Sequence, residues 1–189
     1  RLIRSGAVRG GVAVAGDTVY FGAGIWPTEG IFLYALAPDT GEVRWCNDRS
    51  GGIYMPQPHG TAEAESGISV QGFLAVAGEH LLVPTGRAVP AAFSRAKGEL
   101  EYFHLQEYGK LGGAAVVASP DYFIQSGRLF KTATGTVAAT LGSTAAVAIS
   151  PKYVGCAERG TLSAIDAAQP MVEKETFDRK GNPVTKVSL

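Results

Sequence analysis

The residues able to do chemistry in this chain are few and scattered. His59, His80 and His104 are its only histidines, and no two stand at the spacing of a metal-ligand pair. Cys46 and Cys156 are too few for a zinc site, and they read as two unpaired, partly buried thiols. The richest stretch is residues 47–69, with Asp48, Arg49, Tyr54, Gln57, His59, Glu63 and Glu65. Asp48, His59 and Glu63 offer the oxygen and nitrogen donors of a cation site or an acid–base pair. The competing reading is a polar, solvated insertion. Arg87 sits in Pro84-Thr85-Gly86-Arg87-Ala88-Val89-Pro90, where a constrained loop would display its rigid fork to an anion or carboxylate. A packing or ion-pair role is the alternative there. Trp26 lies in a Gly/Pro-rich connection, as a lid over the core or as part of a ligand floor. No nucleophile elbow, phosphate loop or dinucleotide fingerprint is present. The expectation is no catalytic residue and no metal, with Trp26, Tyr54, His59 and Arg87 as partner-binding candidates.

Charge narrows the partners. Lys plus Arg is 17 and Asp plus Glu is 17, a net charge of zero. Nucleic acid and anionic membranes are bound through an excess of positive charge that this chain lacks. No apolar stretch is long enough for a transmembrane span. The first residue is Arg1, and the opening Arg1-Leu2-Ile3-Arg4-Ser5-Gly6 is not a signal peptide, so any export signal is expected to lie outside this chain.

The elements that must carry these side chains are short strands. Glycine contributes 25 of the 189 residues, about twice its usual share of roughly 7%. Four segments repeat one hairpin pattern, an apolar strand, a small turn and a second strand. Their turns are Ala15-Gly16-Asp17, Ala77-Gly78-Glu79, Ser119-Pro120-Asp121 and Ser150-Pro151-Lys152. Downstream of each lies a strand–turn–strand, clearest over residues 32–45, with Asp39 expected to accept backbone hydrogens and Gly41 to take a positive φ. Gly98 and Gly135 hold the same position in the next two copies, and Pro170 replaces it in the fourth. Helix competes poorly, residues 99–109 being the least unfavourable window.

The fold class expected is all-β: four antiparallel four-stranded units over residues 8–46, 67–105, 110–140 and 141–180, with an insertion at 47–69. One hairpin cannot bury both faces of its sheet, whereas radially packed blades can. Trp45 ends the first unit and is expected to fill the wedge between sheets. Tyr102 or Phe103 takes that place in the second unit, and the third offers only small residues.

Residues 32–45, with Leu-Tyr-Ala-Leu, then Thr-Gly, then Trp, closely resemble the closing segment of the PQQ-like (quinoprotein-type) β-propeller repeat. That resemblance spans nearly the whole chain and is strongest in the first repeat. It implies a seven- or eight-bladed ring of which these residues form an arc. The partners would be the remaining blades of the same polypeptide and a protein or glycan ligand, in the periplasm or outside the cell. Dehydrogenases of this fold hold PQQ and calcium at the ring centre, often beneath a pair of adjacent cysteines. Cys46 and Cys156 are not adjacent, so no cofactor is expected here. The alternative is a PQQ- and calcium-dependent dehydrogenase, or a sugar-active hydrolase or lyase.

Overall fold

The computed structural model describes residues 8, 10–25, 30–141, 146–158, 161–166, 172–177 and 183–188. Their regular secondary structure is β apart from one helical turn. The first sheet is β1 (Ala13–Ala15), β2 (Thr18–Ala23), β3 (Phe32–Leu36) and β4 (Val43–Asn47), in sequence order. A hairpin of β5 (Ile53–Pro56) and β6 (Glu63–Ser66) follows. The second sheet is β7 (Ala75–Ala77), β8 (His80–Val83), β9 (Ala91–Ser94) and β10 (Leu100–Tyr102), and one helical turn, α1 (Leu105–Tyr108), comes next. The third sheet is β11 (Val117–Ala118), β12 (Tyr122–Gln125), β13 (Arg128–Lys131) and β14 (Val137–Thr140). The fourth is β15 (Ala146–Ile149), β16 (Tyr153–Glu158) and β17 (Thr161–Asp166). A last hairpin joins β18 (Val172–Phe177) to β19 (Pro183–Ser188). Every pairing within these sheets is antiparallel.

Two expectations are corrected. Among the described residues the fourth sheet has three strands, not four. Residues that would have supplied its outer strand pair instead with their sequence neighbours, Val172 opposite Ser188 through Phe177 opposite Pro183. A partner close in sequence costs less loop entropy than a distant one. Asp39 accepts no side-chain hydrogen bond from its turn. Backbone bonds close it, Gly41 N–H to Ala37 O at 2.9 Å and Ala37 N–H to Glu42 O at 2.9 Å, and the Thr40 hydroxyl accepts from Glu42 N–H at 3.2 Å.

Alternation along each strand sends successive side chains to opposite faces. On β8, Leu81 and Val83 face the first sheet, packing with Tyr20, Leu33 and Ala35, while Leu82 faces the third with Phe123 and Phe130. On β12 and β13, Phe123 and Phe130 look back to the second sheet, and Ile124 and Leu129 look forward to Val154 and Cys156. Phe123 and Phe130 stack across their strands with centroids 4.9 Å apart. The middle sheets are therefore buried on both faces, which is why their strands read as apolar runs instead of alternating ones. Each such large side chain contributes about 2–3 kcal/mol of burial. The first strands of consecutive sheets touch one another in turn, β1 with β7, β7 with β11 and β11 with β15.

One device recurs where sheets meet. The strand–turn–strand turns at Gly41, Gly98 and Gly135 share one geometry, with φ of 69°, 70° and 66°. The Trp45 ring lies on Gly98, where an added Cβ would come within 2.4 Å of it, and its Nε1–H donates to Arg95 O at 2.9 Å. Asn47 Nδ2 donates to Gly98 O at 2.7 Å. One sheet further on, Tyr102 lies on Gly135 and its hydroxyl donates to Thr132 O at 2.7 Å. His104 Nε2–H donates to Thr134 O at 2.8 Å, stacked on Tyr102. Thus the outer strands of the first two sheets are each pinned to the turn of the next by an aromatic ring and a second polar side chain. The equivalent residue in the third sheet is Ala139, fully buried against the fourth.

Within the first sheet, Arg44 grips Asp17 of the β1–β2 turn with two bonds of 2.9 and 2.7 Å, which holds that carboxyl down at about 2. Cys46 and Cys156 form no disulfide, and burial pushes the Cys156 thiol up. No helix among the described residues is long and apolar enough to cross a membrane.

Two measurements probe these contacts. Gly41→Ala should cost about 1–2 kcal/mol in urea unfolding, from its positive φ alone. Gly98→Ala carries the same strain plus the clash with Trp45, and should cost about 1–3 kcal/mol more. Equal losses would show that the ring does not depend on that glycine. Burial also pushes the Tyr102 phenol well above its usual 10.0. The folded chain then keeps a proton that the unfolded chain releases, so this stability is full below about pH 10 and is lost as pH rises further. Tyr102→Phe should flatten that alkaline decline while costing about 1 kcal/mol at neutral pH.

Candidate binding face

The sequence left His59 and Arg87 on separate segments with no stated distance. The fold brings them together: Arg87 Nη2–H donates to His59 Nε2 at 3.1 Å, on an exposed surface.

Arg87 is displayed by a loop that is itself immobilised. Its neighbours Ala88 and Val89 are fully buried. Gln71 N–H donates to Pro84 O at 2.8 Å, and the Thr85 hydroxyl donates to Ala88 O at 3.2 Å. Gly86 turns the chain at φ 77°. Gly112 N–H donates to Arg87 O at 3.1 Å, and a Cβ on Gly112 would lie 2.4 Å from the Arg87 carbonyl carbon. Gly112 is held from the third sheet in turn. The Ser126 hydroxyl donates to Leu111 O at 3.0 Å and to Gly112 O at 3.2 Å. Ser126 has a φ of 49°, a conformation that costs a non-glycine residue about 1–3 kcal/mol unless its surroundings hold it. Beside it, the Gln125 amide abuts Gly113, and its buried Oε1 has no donor among the described residues.

His59 arrives on the inserted hairpin. The insertion is not a loose cover, since β5 and β6 pair over Ile53↔Ser66 to Pro56↔Glu63. Ile68 N–H donates to Ser50 O at 2.9 Å where the insertion rejoins the core, and Ser50, Ile68 and Val70 are buried there. At the tip, Ala62 N–H donates to His59 O at 3.1 Å and Gln57 N–H to Ala62 O at 2.8 Å. The tip docks on α1. Gln106 Nε2 donates to Gly60 O at 3.2 Å, and Pro58 sits where a Cβ on Gly109 would come within 2.2 Å of it.

The other candidates distribute differently. Tyr54 is on β5, exposed, with its hydroxyl donating to Glu63 O at 3.4 Å. Asp48 and Glu63 are exposed, and neither carboxylate joins His59 in a hydrogen bond or ion pair. Among the described residues, no group of three His, Cys, Asp or Glu could hold a metal ion. Trp26 lies outside the described residues. Sequence reasoning missed Gln106, Gly109, Gly112 and Ser126, which position the face without being chemically conspicuous. It also gave His104 no role, although that side chain pins the second sheet to the third. The Tyr102/His104 spacing, repeating that of Trp45/Asn47, was the available signal.

No protein family model matches this chain, and neither does any curated protein. Among solved structures it is similar to BamB from Moraxella catarrhalis, with a TM-score of 0.53 and 15% identity over 86% of this chain and 48% of that one. The chain thus spans about half the length of that protein. It is also similar to the computationally designed Ika4 protein, with a TM-score of 0.51 and 13% identity over 86% of this chain and 92% of that one. Likeness at such identity speaks to fold alone.

Gly112→Ala should displace the Arg87 loop and cost about 2 kcal/mol, since backbone and not a flexible side chain stands in the way. Arg87→Ala, at an exposed tip, should stay within about 0.5 kcal/mol of the parent. Urea unfolding of both variants checks the contrast, and a large loss at Arg87 would make it a structural residue.

Proposed function

We propose that this chain is an arc of a larger β-propeller of the PQQ-like repeat type and acts as a non-catalytic binding module of an exported protein. The observation that carries the binding role is the convergence of His59 and Arg87, from segments 28 residues apart, on one rigid exposed face. A hairpin, a loop of the second sheet, a helical turn and a turn of the third sheet all contribute to holding it. Binding residues on loops held by a stiff scaffold are a usual division of labour in such folds. Tyr54, on the same hairpin and 69% exposed, adds an aromatic surface of the kind found at binding hot spots.

The arc reading is supported by the succession of sheets through their first strands and by the likeness to BamB. It is also supported by one asymmetry. Gly98 and Gly135 each carry an aromatic ring from the preceding sheet, whereas an added Cβ at Gly41 would meet nothing within 4 Å. A further blade would place its own ring there. On the same side of the first sheet Val14 is 66% and Val43 49% exposed, the apolar surface such a blade would cover.

The test is to immobilise the chain, identify proteins or glycans retained from the native host, and repeat the measurement with Tyr54, His59 and Arg87 all replaced by alanine. Affinity should fall at least about tenfold. A change within about twofold would place the partner's contacts elsewhere.

A further inference from the structure

We infer that Arg87 and His59 together form a receptor for a single carboxylate, the acidic side chain of a protein partner. This rests on the reading of their surface as the binding face, and it goes on to name the chemistry of the ligand. The hydrogen bond between them can run in one direction only. A guanidinium has five N–H groups and no acceptor, so in this contact Arg87 must donate and His59 Nε2 must accept. A ring nitrogen that accepts carries no hydrogen, so the tautomer this contact requires has its N–H at Nδ1. That leaves the remaining N–H groups of Arg87 and the Nδ1–H of His59 as donors.

Nothing among the described residues answers them. The ion pairs there are Arg44–Asp17, His80–Glu101 and Lys97–Glu99, so no carboxylate of these residues lies within 4.0 Å of Arg87. No other side-chain bond of Arg87 or His59 is formed among these residues. An arginine left this way on a mobile loop would be ordinary. Here the backbone beneath it is fixed from the third sheet, and the hairpin tip that carries His59 is held through Gly60 by Gln106 and through Pro58 by Gly109. The backbone that presents the donors is held before any ligand arrives, which reduces the entropy lost on binding.

The charge of the face selects among acceptors. In this contact Arg87 carries the one formal charge of the pair. A phosphate dianion or a polyanion calls for more than one cation. A planar monoanion needs one planar fork, and the guanidinium–carboxylate pair is the match in shape. The adjacent hairpin, with two unpaired strand edges and Tyr54 exposed, suits an acidic residue presented on extended chain.

The probe is a blocked five-residue peptide with a single central glutamate, titrated against the whole chain and followed by NMR at the Arg87 side chain and the His59 ring. Controls are the same peptide with glutamine and inorganic phosphate. The glutamate peptide should shift both residues saturably, with the glutamine peptide and phosphate each at least about tenfold weaker. Arg87→Lys keeps the charge but loses the fork, and should weaken the glutamate peptide about fivefold or more with unfolding unchanged. Equal response to glutamine, tighter binding of phosphate, or no shift up to about 50 mM peptide would each overturn the proposal. If these fail while the alanine variants still lose the native partner, the binding face stands and its ligand is of another class.

Discussion

The structure turns on an aromatic ring resting on a glycine. Trp45 on Gly98 and Tyr102 on Gly135 each join the outer strand of one sheet to the outer turn of the next. Two physical requirements coincide in that glycine. Its positive φ closes the turn, and its missing side chain leaves room for the ring. Each ring ends in a donor that finds a backbone carbonyl, Arg95 O for the indole and Thr132 O for the phenol, so the polar tip is satisfied as the apolar body is buried. A second side chain, Asn47 or His104, then binds a carbonyl of the same turn. Because the same turn recurs, the same contact fixes the offset between sheets twice.

With that offset fixed, the strands between the pins must be apolar on both faces. Leu81 and Leu82, adjacent in sequence, belong to different cores, as do Phe123 and Ile124. The stiffness this confers passes to the connections. The loop carrying Arg87 begins at the end of β8 and closes at the start of β9, with buried Ala88 and Val89 between. A side chain at its tip therefore has little freedom beyond its own rotamers, although it is exposed. Ser126 shows the same economy from the other side. Its unfavourable backbone is held by a hydroxyl whose one proton is shared between Leu111 O and Gly112 O, in the segment that holds Arg87.

Much of the architecture was legible in the residues. Gly16 and Gly78 adopt positive φ in the two-residue turns that their spacing indicated, and Gly41, Gly98 and Gly135 do so in the second set. Trp45 lies between sheets, as a large ring at a strand end suggests. In the Ser-Pro turns the serine hydroxyl accepts from the backbone N–H three residues on, at 3.2 Å for Ser119 and 2.9 Å for Ser150, which is local chemistry readable from sequence. Less legible was which strand pairs with which at the end of the chain. The segment after β17 fits either an outer strand or a separate hairpin, and only the competition between local and distant partners decides.

The candidate face was legible residue by residue and not as a set. His59 and Arg87 are conspicuous by type, and so are Asp48 and Glu63. Sequence spacing cannot say which of the four meet, because their separations run through an insertion whose path is set by what it docks against. Pro58 against Gly109 and Gln106 against Gly60 make that choice, and both are contacts between segments more than forty residues apart. Turn geometry, strand alternation and the absence of a strong charge bias are properties of neighbouring residues or of composition, so the sequence by itself determined them. The pairing of a histidine with an arginine, and the exclusion of nearby carboxylates from that pair, depend on distances across the fold. Those distances exist only once the rings have seated on their glycines.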